Sequence, residues 1–286
     1  MKATYKALPW VCALACTLGV GCNKEITPTA LGTSPVGALS RYDLVAADYD
    51  VQPVATFTAS YNSQGKMASL FQKYGQTLSS FALNYNGDQV GQSLANDLGR
   101  QVLQYDAQGR PWKLDYTTLT DTGRVIYNYN GSGKLVSMVD SLKQPAKLPL
   151  LYQYVFTWDD AGNNVVKVVK NQLDLEGRPT LVQYTDYKFD DKQNPFIGFP
   201  WLHYNLLLPG EVPALVNKNN ITASQVVGTI LDPSNPGSTP VYDTITVFRT
   251  SRVYEYNAKG YPAKATEDFN DVQFNFSGHR TYKYEY

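Results

Sequence analysis

The sequence predicts an all-β fold, an antiparallel meander of consecutive hairpins curving into a sheet or a partial or complete barrel, with one apolar irregular insertion. Three observations carry this prediction. A short turn motif recurs along the chain, large apolar residues alternate between its copies, and there are 22 tyrosines against 11 phenylalanines. Tyrosine favours strands and tolerates half-burial, with its ring packed and its hydroxyl wet.

The motif is an aromatic residue, Asp or Asn, two free residues, Gly, and usually Lys or Arg. It occurs as YNSQGK (61–66), YDAQGR (105–110), YNGSGK (129–134) and YNAKGY (256–261). Weaker copies are WDDAGN (158–163), LDLEGR (173–178) and FDDKQN (189–194), the last with Gln193 in place of glycine. Gly65, Gly109, Gly133, Gly162, Gly177 and Gly260 are the expected turn glycines, since a tight hairpin needs their backbone freedom. Two further pairs, Gly99-Arg100 and Gly123-Arg124, extend the rhythm. The resulting intervals suit hairpins with strands of about five to eight residues. Within YDAQGR, Asp106 is expected to brace the turn and Arg110 to lie solvated at its exit, while Trp112, Leu114 and Tyr116 begin the next buried face.

Alternation between turns supports half-buried strands. Val125, Tyr127 and Tyr129 share a face, as do Tyr152, Tyr154, Phe156 and Trp158, and finally Tyr282, Tyr284 and Tyr286. No amphipathic helix longer than two turns is legible. One region breaks the rhythm: NPFIGFPWLHYNLLLPGEVPALVNKNNIT, followed by DPSNPGSTP. Its prolines exclude a regular central strand, and it is too apolar for an exposed loop. Residues 194–239 are therefore expected to form an irregular insertion that covers or plugs one side of the sheet. It would carry a short helix around 201–208 and an exposed hairpin loop around 232–239.

Ahead of the domain, Lys2 and Lys6 precede an uncharged apolar run from Ala7 to Val20. That run is shorter than the roughly 20 residues of a spanning helix and sits where a signal peptide sits. It ends in LGVGC, with NKE following Cys22. This resembles a bacterial lipoprotein signal, which implies that Cys22 becomes the lipid-modified first residue. Gly19 stands where that pattern prefers leucine. Residues 1–21 then form the signal, 22–40 a Thr/Pro/Gly-rich flexible tether, and 41–286 a single β domain. Cys12, Cys16 and Cys22 all fall in this leader, so neither a disulfide nor a cysteine-based metal or redox site is expected in the domain.

The turn copies resemble the YD repeats of RHS-type proteins. With the lipoprotein signal, the NPF segment after FDDKQ and the later NKNNI, the chain from about 41 to 286 is similar to a family of Bacteroidetes lipoproteins of unknown function. That resemblance implies a porin-like, curved β-meander and brings no catalytic residues.

Several chemical readings fail on spacing. YNGSGKL lacks the glycine and the Ser or Thr of a phosphate loop, having Asn128 and Leu135 there. A calcium loop around Asp174 to Gly177 would carry Gln172 and Gln183 at its ends, too little anionic charge. Asp159-Asp160 and Asp190-Asp191 sit in turn copies, and neighbours in a strand would point to opposite faces, so neither pair forms a glycosidase dyad. His203 and His279 are far apart without partners at metal spacing, and Ser132 is one residue short of a nucleophile elbow. Asp140-Ser141-Leu142 and Asp243-Thr244-Ile245 resemble O-glycosylation sequons of Bacteroidetes periplasmic proteins.

Formal net charge is zero, which disfavours nucleic acid as a partner. The expectation is a monomeric, cofactor-free, lipid-anchored outer-membrane protein facing the periplasm or the cell surface. It is read as a non-catalytic binding or structural module for a glycan or apolar ligand, with Trp112, Trp158 and Trp201 as candidate ligand-binding aromatics. Two rival readings stand beside it. One is an envelope glycan hydrolase with carboxylates gathered from several strands. The other is a small outer-membrane barrel, suggested by the aromatic ending TYKYEY, although these tyrosines suit an interface better than hydrocarbon.

Overall fold

The computed structural model describes residues 38–46, 53–75, 77–95, 99–117, 121–143, 149–197, 212–231 and 242–286. Cys22 and the leader, Trp201, His203, the helix expected at 201–208 and the loop expected at 232–239 lie outside the described residues.

Sixteen strands occur among the described residues: β1 (Arg41–Ala46), β2 (Ala55–Tyr61), β3 (Met67–Tyr74), β4 (Thr77–Asn86), β5 (Gln89–Ala95), β6 (Gly99–Tyr105), β7 (Pro111–Thr117), β8 (Thr122–Tyr129), β9 (Leu135–Lys143), β10 (Leu150–Trp158), β11 (Val165–Leu173), β12 (Pro179–Gln193), β13 (Asn219–Leu231), β14 (Tyr242–Tyr256), β15 (Pro262–Asp271) and β16 (Phe276–Glu285). A single short helix, α1 (Val212–Val216), precedes β13. Every strand pairs antiparallel with its sequence neighbours, and β1 also pairs with β16, from Arg41 opposite Glu285 to Ala46 opposite Arg280. That last ladder closes the barrel and leaves no free edge.

Alternation decides which face turns inward. On β6, β7 and β8 the cross-strand row Leu103, Leu114 and Val125 is buried. The neighbouring positions Lys113, Asp115 and Arg124 form an outward charge row, with Lys113 and Arg124 each 2.7 Å from Asp115. The same division recurs elsewhere: Lys264 pairs with Glu255 at 2.9 Å, and Asn171 donates to Gln153 at 3.1 Å. Inside, one apolar cluster joins Tyr42, Phe57, Leu70 and Phe81 to Phe196, Ala214 and Leu215, and a second gathers Leu114, Tyr116, Phe156 and Val165. Val216 of α1 packs against both. Removing such side chains from water stabilises by about 1.5–3 kcal/mol each.

The turn chemistry follows from the motif. Asn62, Asp106, Asn130, Asp174 and Asn257 each accept, through Oδ1, the backbone N–H groups two and four residues later. The six expected turn glycines have φ from 66° to 81°, a left-handed conformation that other residues adopt at a cost. At these turns the ladder also shifts register beside the aromatic, for example at Gln104/Tyr105 and Asn128/Tyr129. An extra residue of this kind is a β-bulge that sharpens the local twist.

Several expectations need correction. Gly123 is not a turn residue: it lies within β8 opposite Tyr116, whose ring occupies the space a Cβ would need, 2.1 Å away. FDDKQN is not a closed turn, because β12 runs through Gln193. Residues 219–231, counted within the irregular insertion, form β13. Strands also exceed eight residues: β12 and β14 have 15 each. Trp112 shares a face with Leu114 and Tyr116 but is 39% exposed, being the second residue of its strand.

Candidate functional site: a tyrosine-lined cleft at the repeat end

Even-numbered strands turn into odd-numbered ones at one end of the barrel, termed here the repeat end, and there every motif copy lies except LDLEGR, which joins β11 to β12 at the opposite end. At three of these turns the aromatic reaches back to the preceding turn. Tyr85 Oη donates to Met67 O at 2.7 Å, Tyr129 Oη to Pro111 O at 2.6 Å, and Trp158 Nε1 to Leu135 O at 2.7 Å. The basic residue reaches forward. Lys66, Arg110 and Lys134 lie over the rings of Tyr85, Tyr129 and Trp158 at 5.5, 4.5 and 4.8 Å. Each such cation–π contact adds about 0.5–2 kcal/mol, depending on desolvation. Arg110 is thus not merely solvated: it bonds Asp106 at 2.7 Å and stacks on Tyr129.

FDDKQN is this turn held open. Asp190 Oδ1 still accepts from the N–H two residues on, Lys192, at 3.0 Å. In place of a fourth-residue partner it takes the N–H of Asn220, at 3.2 Å, across the whole inserted segment. The insertion is pinned by asparagines. Asn194 donates to Ala214 O and Asn217 O at 2.5 and 2.9 Å, and its Oδ1 accepts from Phe196 N at 3.0 Å. Asn217 Oδ1 accepts from Val165 N at 2.6 Å, and Asn219 N donates to Asn164 Oδ1 at 3.0 Å. Phe196, 2% exposed, meets Tyr42 edge-on at 5.4 Å. The described part of the insertion therefore sits inside the repeat end and joins the core.

A cleft of about 540 Å³ opens between this insertion and the first turns. Its walls include the rings of Tyr61, Tyr85, Tyr105 and Tyr261, with Met67, Val90 and Ile197 between them. Tyr61 Oη donates to Leu39 O at 2.8 Å and Tyr105 Oη to Val90 O at 3.0 Å, so hydroxyls fix the rings while ring surface lines the cavity. Burial pushes both phenols up to about 12, which keeps them neutral donors. Polar groups at the mouth are Gln89, Gln193 and an ion pair between Lys66 and Asp88, 2.6 Å apart. Lys66 holds Asp88 below the usual carboxylate range.

The fold resembles that of porin-like proteins. A porin-like protein from Bacteroides uniformis ATCC 8492 superposes with a TM-score of 0.53 at 15% identity, covering 89% of this chain and 98% of the other. One from Bacteroides vulgatus ATCC 8482 gives 0.54 at 11% identity, over 87% and 98%. No protein-family model matches the sequence, and no curated protein does.

The two described candidate tryptophans, Trp112 and Trp158, do not line the cleft. Trp158 is committed to the interlock beneath Lys134, Trp112 lies outside the cleft lining, and Trp201 lies outside the described residues. Three of the lining tyrosines, Tyr61, Tyr105 and Tyr261, are instead motif residues read only as turn markers. Tyr85 was missed because its turn, Asn86-Gly87-Asp88, is too short to match the motif, although Gly87 has φ 63°. Among the described lining residues Asp88 is the one carboxylate. A further buried charge cluster lies inside the barrel, where Glu267 accepts from Arg252, from Arg280 at 3.2 Å and from Tyr282 at 2.8 Å.

Proposed function

We propose that this is a lipid-anchored cell-envelope protein whose barrel stands in water and acts as a non-catalytic binding module, taking a glycan in the tyrosine-lined cleft. The observation that carries the reading is the direction of the two barrel faces. A lipid-embedded barrel presents an apolar band outward and a polar lumen inward, and sixteen-stranded porins leave an aqueous channel. Here the inward face holds both apolar clusters, while Lys113, Asp115, Arg124, Lys264 and Glu255 face outward. The cleft pairs fixed aromatic surface with amides and one ion pair, a composition suited to the apolar faces and hydroxyls of a sugar.

Detergent phase partitioning and palmitate-analogue labelling test the anchor and the aqueous barrel together. Wild-type protein is expected in the detergent phase and labelled, and Cys22→Ala protein in the aqueous phase and unlabelled. A Cys22→Ala protein that stays membrane-embedded sinks the aqueous reading. A glycan screen tests the cleft, where Gln89→Ala with Gln193→Ala should weaken any glycan bound by the wild type about tenfold or more, for the loss of two polar contacts. Unchanged affinity moves the site elsewhere.

A further inference from the structure

The chain enters the barrel at the same end as the cleft. Leu39 is fully buried, its carbonyl accepts from Tyr61 Oη at 2.8 Å, and Ser40 N donates to Glu285 O at 2.8 Å. The chain is therefore fixed to the barrel from Leu39 onward, and Ala38 and Leu39 are themselves cleft wall. Residues 23–37 separate Cys22 from this point, a reach of roughly 50 Å even when fully extended. The opposite barrel end lies farther away by about the length of a seven-residue strand, roughly 20 Å. A lipid on Cys22 is thus joined to the barrel at the repeat end, which makes the cleft end the one nearest the anchor along the chain.

We propose that the cleft faces the membrane that holds the anchor, and that its ligand is the neutral sugar headgroup of a membrane glycolipid. This rests on the glycan reading given above. Charge favours a neutral headgroup over a phosphate, because the charged lining residues Lys66 and Asp88 already satisfy each other. Gln89 and Gln193 supply amide donors and acceptors for hydroxyls, and the four tyrosines supply flat apolar surface. A headgroup held at a surface also meets the cleft at the high effective concentration that tethering provides, which a freely diffusing glycan lacks.

The test uses the lipidated full-length chain in phosphatidylcholine vesicles, with or without glucosyl diacylglycerol, and a single fluorophore placed through Gln64→Cys or Gln273→Cys. Gln64 lies in a repeat-end turn and Gln273 in the β15–β16 turn at the opposite end. A headgroup-attached quencher should quench the Gln64→Cys probe several-fold more than the Gln273→Cys probe, and equal quenching overturns the orientation. Glucosyl diacylglycerol should shift the Gln64→Cys emission. That shift should vanish in Gln89→Ala/Gln193→Ala protein, whose quenching asymmetry stays intact. An excess of soluble maltose should compete only weakly. Full competition by maltose at equal sugar concentration overturns the headgroup assignment but leaves the glycan reading standing. Response to neither sugar overturns both.

Discussion

At the residue scale, the turn positions divide the work between an acceptor, a glycine and two partners for neighbouring turns. Asn130→Ala removes an acceptor for two N–H groups and should cost about 1 kcal/mol in urea denaturation. Gly177 and Gly123 separate two reasons for glycine. Gly177→Ala meets no atom within 4 Å and carries only the cost of φ 80°, about 1–2 kcal/mol. Gly123→Ala has no such φ but drives a methyl into the Tyr116 ring, so it should be the more damaging of the two by thermal denaturation. The turn aspartates give a pH dependence. At Asp106 and Asp159 burial opposes ionisation, but hydrogen bonds from Arg110 and from Asn163 and Asn164 outweigh it, and at Asp174 the N–H of Arg178 leads. All three are held below the ordinary carboxylate range when folded. Their contribution is thus complete above the unfolded value, near 4, and is lost as pH falls through the lower folded values. Asn fills the same place at 62, 130 and 257. Replacing all three aspartates by asparagine should therefore flatten the fall in thermal stability below about pH 4. An unchanged acid slope counts against this account.

At the element scale, the insertion is a turn opened to admit a plug, and its asparagines hold it. Asn194 is 3% exposed and satisfies two carbonyls and one N–H. Asn194→Ala leaves those groups buried and unpaired, a loss of about 2–4 kcal/mol, and should speed amide exchange at Phe196 and in α1 before it affects the far strands. The hairpins were legible because their chemistry is local: YDAQGR states acceptor, glycine and cation within six residues. Gly123 was misread because its reason lies across the ladder in Tyr116. The plug was legible as apolar and proline-broken, yet nothing local marks Asn220 as the partner of Asp190, 30 residues away.

At the scale of the whole molecule, ring closure is the feature without a local signature. β1 meets β16 from opposite ends of the domain, and the sequence left open whether the sheet closed. The cleft was illegible for the same reason, since its walls come from the chain entry, four turns and the insertion. Near the seam, Glu267 is fully buried against Arg252, Arg280 and Tyr282. Removing one partner of such a cluster strands charge, so Glu267→Ala should cost about 3–5 kcal/mol, read as a lowered denaturation midpoint. The interlock of Tyr85, Tyr129 and Trp158 with the turns before them carries a different consequence. From β2 to β11, where these contacts run, consecutive hairpins present like joints, so this arc is a row of similar tiles whose length is a matter of copy number, and the opened β12–β13 turn ends the series.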